Sequence, residues 1–236
     1  MKKWLFPLNL LLMAALYIGN YFYHTVGGLE IKMLCSSIFT LQGLVNAVFS
    51  IRMEKKFRAA PFCLFLGLFL SMAGDYLLGV DFLIGAATFA AGHVCYLISH
   101  CLLRPFRKYD LIPCLLLFAV GSAFLLFSPL VSFTDESQKW ICLGYALVIS
   151  GMTGKALGNL MMERSIASAL LAFGSMLFFF SDFMLVLDWF TKLGRWTGTL
   201  CMAAYYPAQS LLALAIFFII SYQKGGLSHA HHHCSV

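Results

Sequence analysis

A chain of 236 residues in which 61% of the side chains are hydrophobic and only 11% charged, with a mean hydropathy of +0.85, lies far outside the range of soluble globular domains. Its net charge of +6 calls for no nucleic acid, because basic loops beside anionic lipid headgroups account for it. A soluble enzyme and a nucleic-acid-binding module are thereby excluded, and an integral membrane protein remains.

A helix needs about 20 apolar residues to cross the hydrocarbon core. Eight windows supply them, at residues 4–23, 29–50, 60–80, 82–103, 111–131, 140–158, 166–189 and 198–221. The apolar runs are continuous, as in Leu115-Leu116-Leu117-Phe118-Ala119-Val120, where the strands of a membrane barrel would alternate. The expected fold is therefore all-α, an integral membrane bundle of eight transmembrane helices forming one domain over residues 1–225. The His-rich segment 226–236 is expected to be a disordered tail. Lys2 and Lys3 precede the first span as in a signal peptide, but that span is too long and too aromatic at its end, so it is taken as a retained helix. Lysine and arginine collect in cytoplasmic loops. Lys2, Lys3, Arg52, Lys55, Lys56, Arg58, Arg104, Arg107, Lys108, Arg164 and Lys224 face Lys139, Lys192 and Arg195, which places both termini in the cytoplasm. Short loops suit a bacterial inner membrane or the endoplasmic reticulum.

The third and seventh spans carry the residues that call for a chemical explanation. Gly74-Asp75-Tyr76-Leu77-Leu78-Gly79-Val80-Asp81-Phe82 and Ser181-Asp182-Phe183-Met184-Leu185-Val186-Leu187-Asp188-Trp189 share one pattern of small residue, Asp, aromatic, any residue, Leu, two more, Asp and aromatic. A carboxyl group at such depth costs roughly 2.5–3.5 kcal/mol on insertion scales, so Asp75 and Asp182 are the first candidates for an active site. Both fall about 15 residues, or roughly 22 Å, from the cytoplasmic end of their spans. Asp81 and Asp188 then lie at the outer interface as solvated charges. Spacing by four spans fits a parallel duplication of a four-helix unit, although the other spans show no comparable match.

In the fourth span His93 and Tyr96, three residues apart, share a helix face, as do Tyr206 and Gln209 in the eighth, where Tyr205 is adjacent. These faces are expected to turn inward and to collect with the aspartates in one pocket. The sixth span holds Gly151, Gly154 and Gly158, which permit close packing within the bundle, and Lys155, expected to snorkel to the cytoplasmic surface. The eight cysteines contain no CxxC pair and suit small buried hydrophobes.

Several of these runs also carry a resemblance. Gly74-Asp75 with Leu78, the His93 and Tyr96 pair, the stretch Phe173-Gly174-Ser175-Met176-Leu177-Phe178-Phe179-Phe180-Ser181-Asp182, and Tyr205-Tyr206-Pro207-Ala208-Gln209 resemble the YhhN-type lysoplasmalogenase family. The likeness extends from about the third span to the eighth, and the length and eight-helix plan agree. It implies hydrolysis of the vinyl ether bond of a lysoplasmalogen drawn from the bilayer, releasing a fatty aldehyde and glycerophosphoethanolamine or glycerophosphocholine. The family's catalytic aspartates fall on Asp75 and Asp182. His93, Tyr96, Ser181, Tyr205, Tyr206 and Gln209 are then candidates to bind the substrate or orient the pair, and no metal or cofactor is called for.

Two carboxyl groups suit that reaction. Its slow step is protonation of carbon, which leaves an oxocarbenium ion. One acid can donate the proton while an ionised partner stabilises the cation and activates water, as in glycosidases. Two other readings of the same acidic cluster stand beside this one. A metal-dependent lipid hydrolase would use Asp75, His93 and Asp182 as ligands, a set poor in histidine for zinc. A proton-coupled lipid transporter or scramblase would relay protons through the paired acids.

Overall fold

The computed structural model describes residues 3–51 and 58–233, with side chains as far as Ser221. Hydrocarbon offers no partner to an exposed peptide group, so apolar segments of this length satisfy their backbones internally as helices. Eight form among the described residues: α1 (Leu5–Val26), α2 (Leu29–Ser50), α3 (Ala59–Leu77), α4 (Phe82–Leu103), α5 (Leu111–Phe127), α6 (Glu136–Met162), α7 (Ile166–Phe190) and α8 (Trp196–His233). All eight are long and apolar enough to cross a membrane, and no strand occurs among the described residues. The helix α8 continues to His233, through most of the segment 226–236 expected to be disordered; residues 234–236 lie outside the described ones.

Helix boundaries depart from the hydropathy windows where capping groups intervene. Asp81 accepts a hydrogen bond from the Ile84 amide at 2.9 Å and starts α4, so α3 ends at Leu77 instead of continuing to residue 80. Asp135 accepts from the Ser137 amide at 3.3 Å and starts α6 four residues before its apolar window. Such side chains satisfy orphan amides that hydropathy does not register. Between α1 and α2 the chain reverses over Gly27 and Gly28, at φ of 73° and 98°, angles that a side chain would strain.

The helix α8 is the most buried of the eight and packs against α7, α2, α1 and α3; α4 joins α3 to α6, and α5 lies outside, mainly against α6. Leu115, Leu116, Val120 and Phe127 of α5 are exposed, as a lipid-facing helix requires. Glycines let α6 approach α5: a Cβ on Gly154 would stand 2.4 Å from the Cys114 amide nitrogen.

The bundle has a basal end, holding the N-terminus and the α4–α5 connection, and an apical end, holding the α1–α2 and α7–α8 connections. Lys155, at the basal end, does not snorkel. It is fully buried, 2.8 Å from Asp110 Oδ2 and 3.2 Å from the Pro105 carbonyl oxygen, and Arg104 binds the other oxygen of Asp110. The short turn before α5 brings Asp110 to the lysine, and a buried ammonium with a carboxylate partner has no reason to reach for the surface.

Candidate active site

Asp75 is the seventeenth residue of α3 and stands in its last turn. Its Oδ2 accepts from Ser36 Oγ at 2.5 Å and from the Tyr205 hydroxyl at 2.8 Å. Lys32 Nζ lies 3.2 Å from Oδ1 and donates to the Asp75 carbonyl oxygen at 3.3 Å. Residues of α2, α3 and α8 thus converge on one carboxylate that is 1% exposed. A buried ion pair is tolerated when further hydrogen bonds satisfy the remaining lone pairs, and Ser36 and Tyr205 supply them here.

Asp182 is also the seventeenth residue of its helix, but α7 runs on to Phe190. Its Oδ2 accepts from the Tyr145 hydroxyl at 2.6 Å and lies 3.2 Å from His93 Nε2, which is itself 2.7 Å from the Tyr145 hydroxyl. Three helices, α4, α6 and α7, meet at this cluster. The other imidazole nitrogen, Nδ1, is buried without a hydrogen-bond partner among the described residues. Unlike Asp75, Asp182 lines a cavity. It has a volume of about 80 Å³ and apolar walls that include Phe82, Phe89, Phe124 and Phe183, and among the described residues Asp182 is the one charged side chain on them.

The expected single pocket is therefore two centres that share no hydrogen-bond partner among the described residues. Between them stand the rings of Phe178 and Tyr205, with centroids 5.3 Å apart; Phe178 also lies 4.6 Å from the His93 ring. Tyr96 and Gln209 form a third group, joined by a hydrogen bond of 2.8 Å from the tyrosine hydroxyl to Oε1. Tyr206 donates to the Lys32 carbonyl oxygen at 3.5 Å, on the side of Asp75. Ser181 turns from both carboxylates to Cys201 Sγ, 3.5 Å away. Asp81 and Asp188 are both exposed, and Asp188 accepts from the Thr197 hydroxyl at 2.9 Å.

Reasoning from sequence missed Tyr145, Lys32 and Ser36. A signal existed for two of them: Tyr145 lies inside a span as Tyr96 does, and Lys32 is a charged residue within the second window.

A second cavity, of about 400 Å³, opens at the apical end. Lys32, His24, Asp188 and Arg195 are on its walls together with Tyr23 and Trp189. Leu78, Leu185 and Trp189 line both cavities and form the partition between them. Among the described residues no group of three or more His, Cys, Asp or Glu side chains is placed to hold a metal ion.

Comparison with known proteins gives one match. No curated protein and no solved structure matches the chain. The sequence model described as the YhhN family matches residues 30–216, from the first turn of α2 to the middle of α8, a stretch that contains both aspartate centres and the two cavities' partition. The match covers most of the chain, which belongs to the YhhN family.

Proposed function

We propose that this protein is a lysoplasmalogenase that hydrolyses the vinyl ether bond of a lysoplasmalogen within the bilayer, with Asp182 as the proton donor. One observation carries the assignment: the Asp182 carboxyl, bonded to Tyr145 and close to His93, is among the described residues the one acidic group on the wall of an apolar cavity in a YhhN-family chain. The vinyl ether end of the alkenyl chain would lie among Phe82, Phe89, Phe124 and Phe183, with the rest of the chain in the lipid beyond α5 and α7, where Phe124 and Phe183 meet at 4.8 Å between ring centroids.

The chemistry runs in three steps. The π electrons of the vinyl ether take the Asp182 proton at the carbon remote from the ether oxygen, which leaves an oxocarbenium ion beside the new carboxylate. Water then adds to the carbon attached to oxygen and returns a proton to Asp182, giving a hemiacetal. Finally the carbon–oxygen bond of the hemiacetal breaks, its hydroxyl proton passing to the glycerol oxygen, and the aldehyde and the glycerophospho alcohol separate. General acid–base help of this kind contributes typically about 10² to 10⁴-fold, and the carboxylate and aromatic faces near the cation contribute further. Tyr145 and His93 fix the carboxyl in place for both proton transfers. Asp75 touches neither cavity. It acts as a positioning group, holding Lys32 at the polar cavity and Tyr205 against Phe178.

The test is mass spectrometry of the purified protein with a lysoplasmalogen and its saturated alkyl-ether analogue, comparing wild type, Asp182→Asn and Asp75→Asn. Aldehyde release from the vinyl ether alone, lost in folded Asp182→Asn and undiminished by a strong chelator, supports the proposal. Folded wild type that releases no aldehyde, or Asp182→Asn that still does, overturns it.

A further inference from the structure

The polar cavity at the apical end has a use that the proton transfer leaves open. It lies where α1, α3 and α7 end and α2 and α8 begin, so it is level with the headgroup layer of one leaflet, while the apolar cavity behind the partition lies deeper. Two basic side chains, Lys32 and Arg195, line it. Lys32 Nζ directs its two described contacts at Asp75, to Oδ1 and to the carbonyl oxygen, and an ammonium has a third proton to give. Arg195, in the α7–α8 connection, is exposed, and its guanidinium has no hydrogen-bond partner among the described residues. The carboxylate on the wall, Asp188, is already engaged by Thr197, and the neutral groups nearby include the Tyr23 and Trp189 rings and the Thr199 side chain.

From this geometry we infer that Lys32 and Arg195 form a subsite for the phosphate diester of a lysophospholipid, with Asp75 holding Lys32 in place from behind. A guanidinium binds two phosphate oxygens in parallel, and an ammonium adds a point charge from the other side. A lipid whose phosphate sits between them and whose first chain carbons pass Leu78, Leu185 and Trp189 carries its ether linkage at the partition, next to the cavity that Asp182 lines. Asp75 then orients a headgroup-binding lysine without meeting the reacting carbon. The inference rests on the lysophospholipid reading above for the identity of the ligand, but binding to the subsite requires no hydrolysis.

Equilibrium binding tests it, with full-length protein in a detergent that carries no phosphate. The probes are a saturated 1-O-alkyl lysophosphoethanolamine, the 1-O-alkylglycerol of the same chain length, and inorganic phosphate. Wild type is expected to hold the phospholipid at least about tenfold more tightly than the alkylglycerol, as a charge-assisted contact would give. Arg195→Gln should reduce that ratio to about threefold or less while leaving alkylglycerol affinity unchanged, and Arg195→Lys should retain part of it. The double change Lys32→Met with Asp75→Asn, which leaves no orphaned charge, should reduce the ratio as well. Equal affinity of wild type for both lipids, or an undiminished ratio in Arg195→Gln, overturns the subsite. Displacement of the lipid by inorganic phosphate at comparable concentration would make this a free-anion site and overturn its assignment to a lipid. A ratio that depends on Arg195 in a protein releasing no aldehyde would sink the hydrolase proposal and leave the subsite standing. Aldehyde release without the ratio would do the reverse.

Discussion

Asp75 and Asp182 occupy the same position in nearly the same local text, seventeenth in α3 and seventeenth in α7, yet among the described residues they share no hydrogen-bond partner. Asp75 is enclosed by a lysine, a serine and a tyrosine and lines neither of the two cavities; Asp182 binds a tyrosine, lies near a histidine and faces an apolar cavity. The difference shows that a repeated motif fixes where a carboxyl group stands along a helix, while neighbouring helices decide what it can do. At Asp75 they supply a cation and closure. At Asp182 they supply a tyrosine hydroxyl, an imidazole and an apolar cavity.

The comparison breaks most directly on the reaction itself. Asp182→Asn should lower the rate of aldehyde release by roughly 10² to 10⁴-fold while leaving binding of the saturated alkyl ether intact, a split read from turnover and equilibrium binding together. An equal loss of turnover with intact lipid binding in Asp75→Asn would remove the distinction between the two centres. The next effect is on stability. Lys32→Met leaves the Asp75 carboxylate buried without its cation, at a cost of about 3–5 kcal/mol, and adding Asp75→Asn should recover much of it; thermal melts of the single and double variants measure this. Tyr145→Phe removes a hydrogen bond to the Asp182 carboxyl and should slow turnover roughly 10- to 100-fold, whereas Tyr205→Phe should act on melting temperature more than on rate. The smallest effect concerns the residue before each aspartate. A Cβ at Gly74 would meet the Phe89 ring at 2.7 Å, so Gly74→Ala should cost about 1–3 kcal/mol. Ser181 makes one long contact with Cys201, and Ser181→Ala should change stability by less than about 0.5 kcal/mol. Equal melting shifts for these two variants would mean that the shared small residue has a shared reason.

Much of the polar interior was legible residue by residue. His93, Tyr96, Tyr205 and Gln209 stand out because a polar side chain within an apolar span must find a partner inside the bundle, and each is buried there. Which partner each one takes was not legible. Tyr205 binds Asp75, 130 positions away, and Tyr96 binds Gln209, 113 positions away. Lys32 was overlooked because a lysine near a span end ordinarily snorkels, and Lys155, expected to do so, is buried against Asp110 instead. In both cases a carboxylate delivered by another part of the chain overrides the tendency of the lysine to seek water.

By itself the sequence determined that this chain forms eight membrane-length helices and that two carboxyl groups stand at matching positions in two of them, because hydropathy, backbone satisfaction and the cost of burying charge act along a single helix. The tertiary structure decided that one of those groups faces a cavity and the other a lysine. Cavities and hydrogen bonds arise where helices meet, and their geometry depends on side chains from three or more segments at once, which no local pattern encodes.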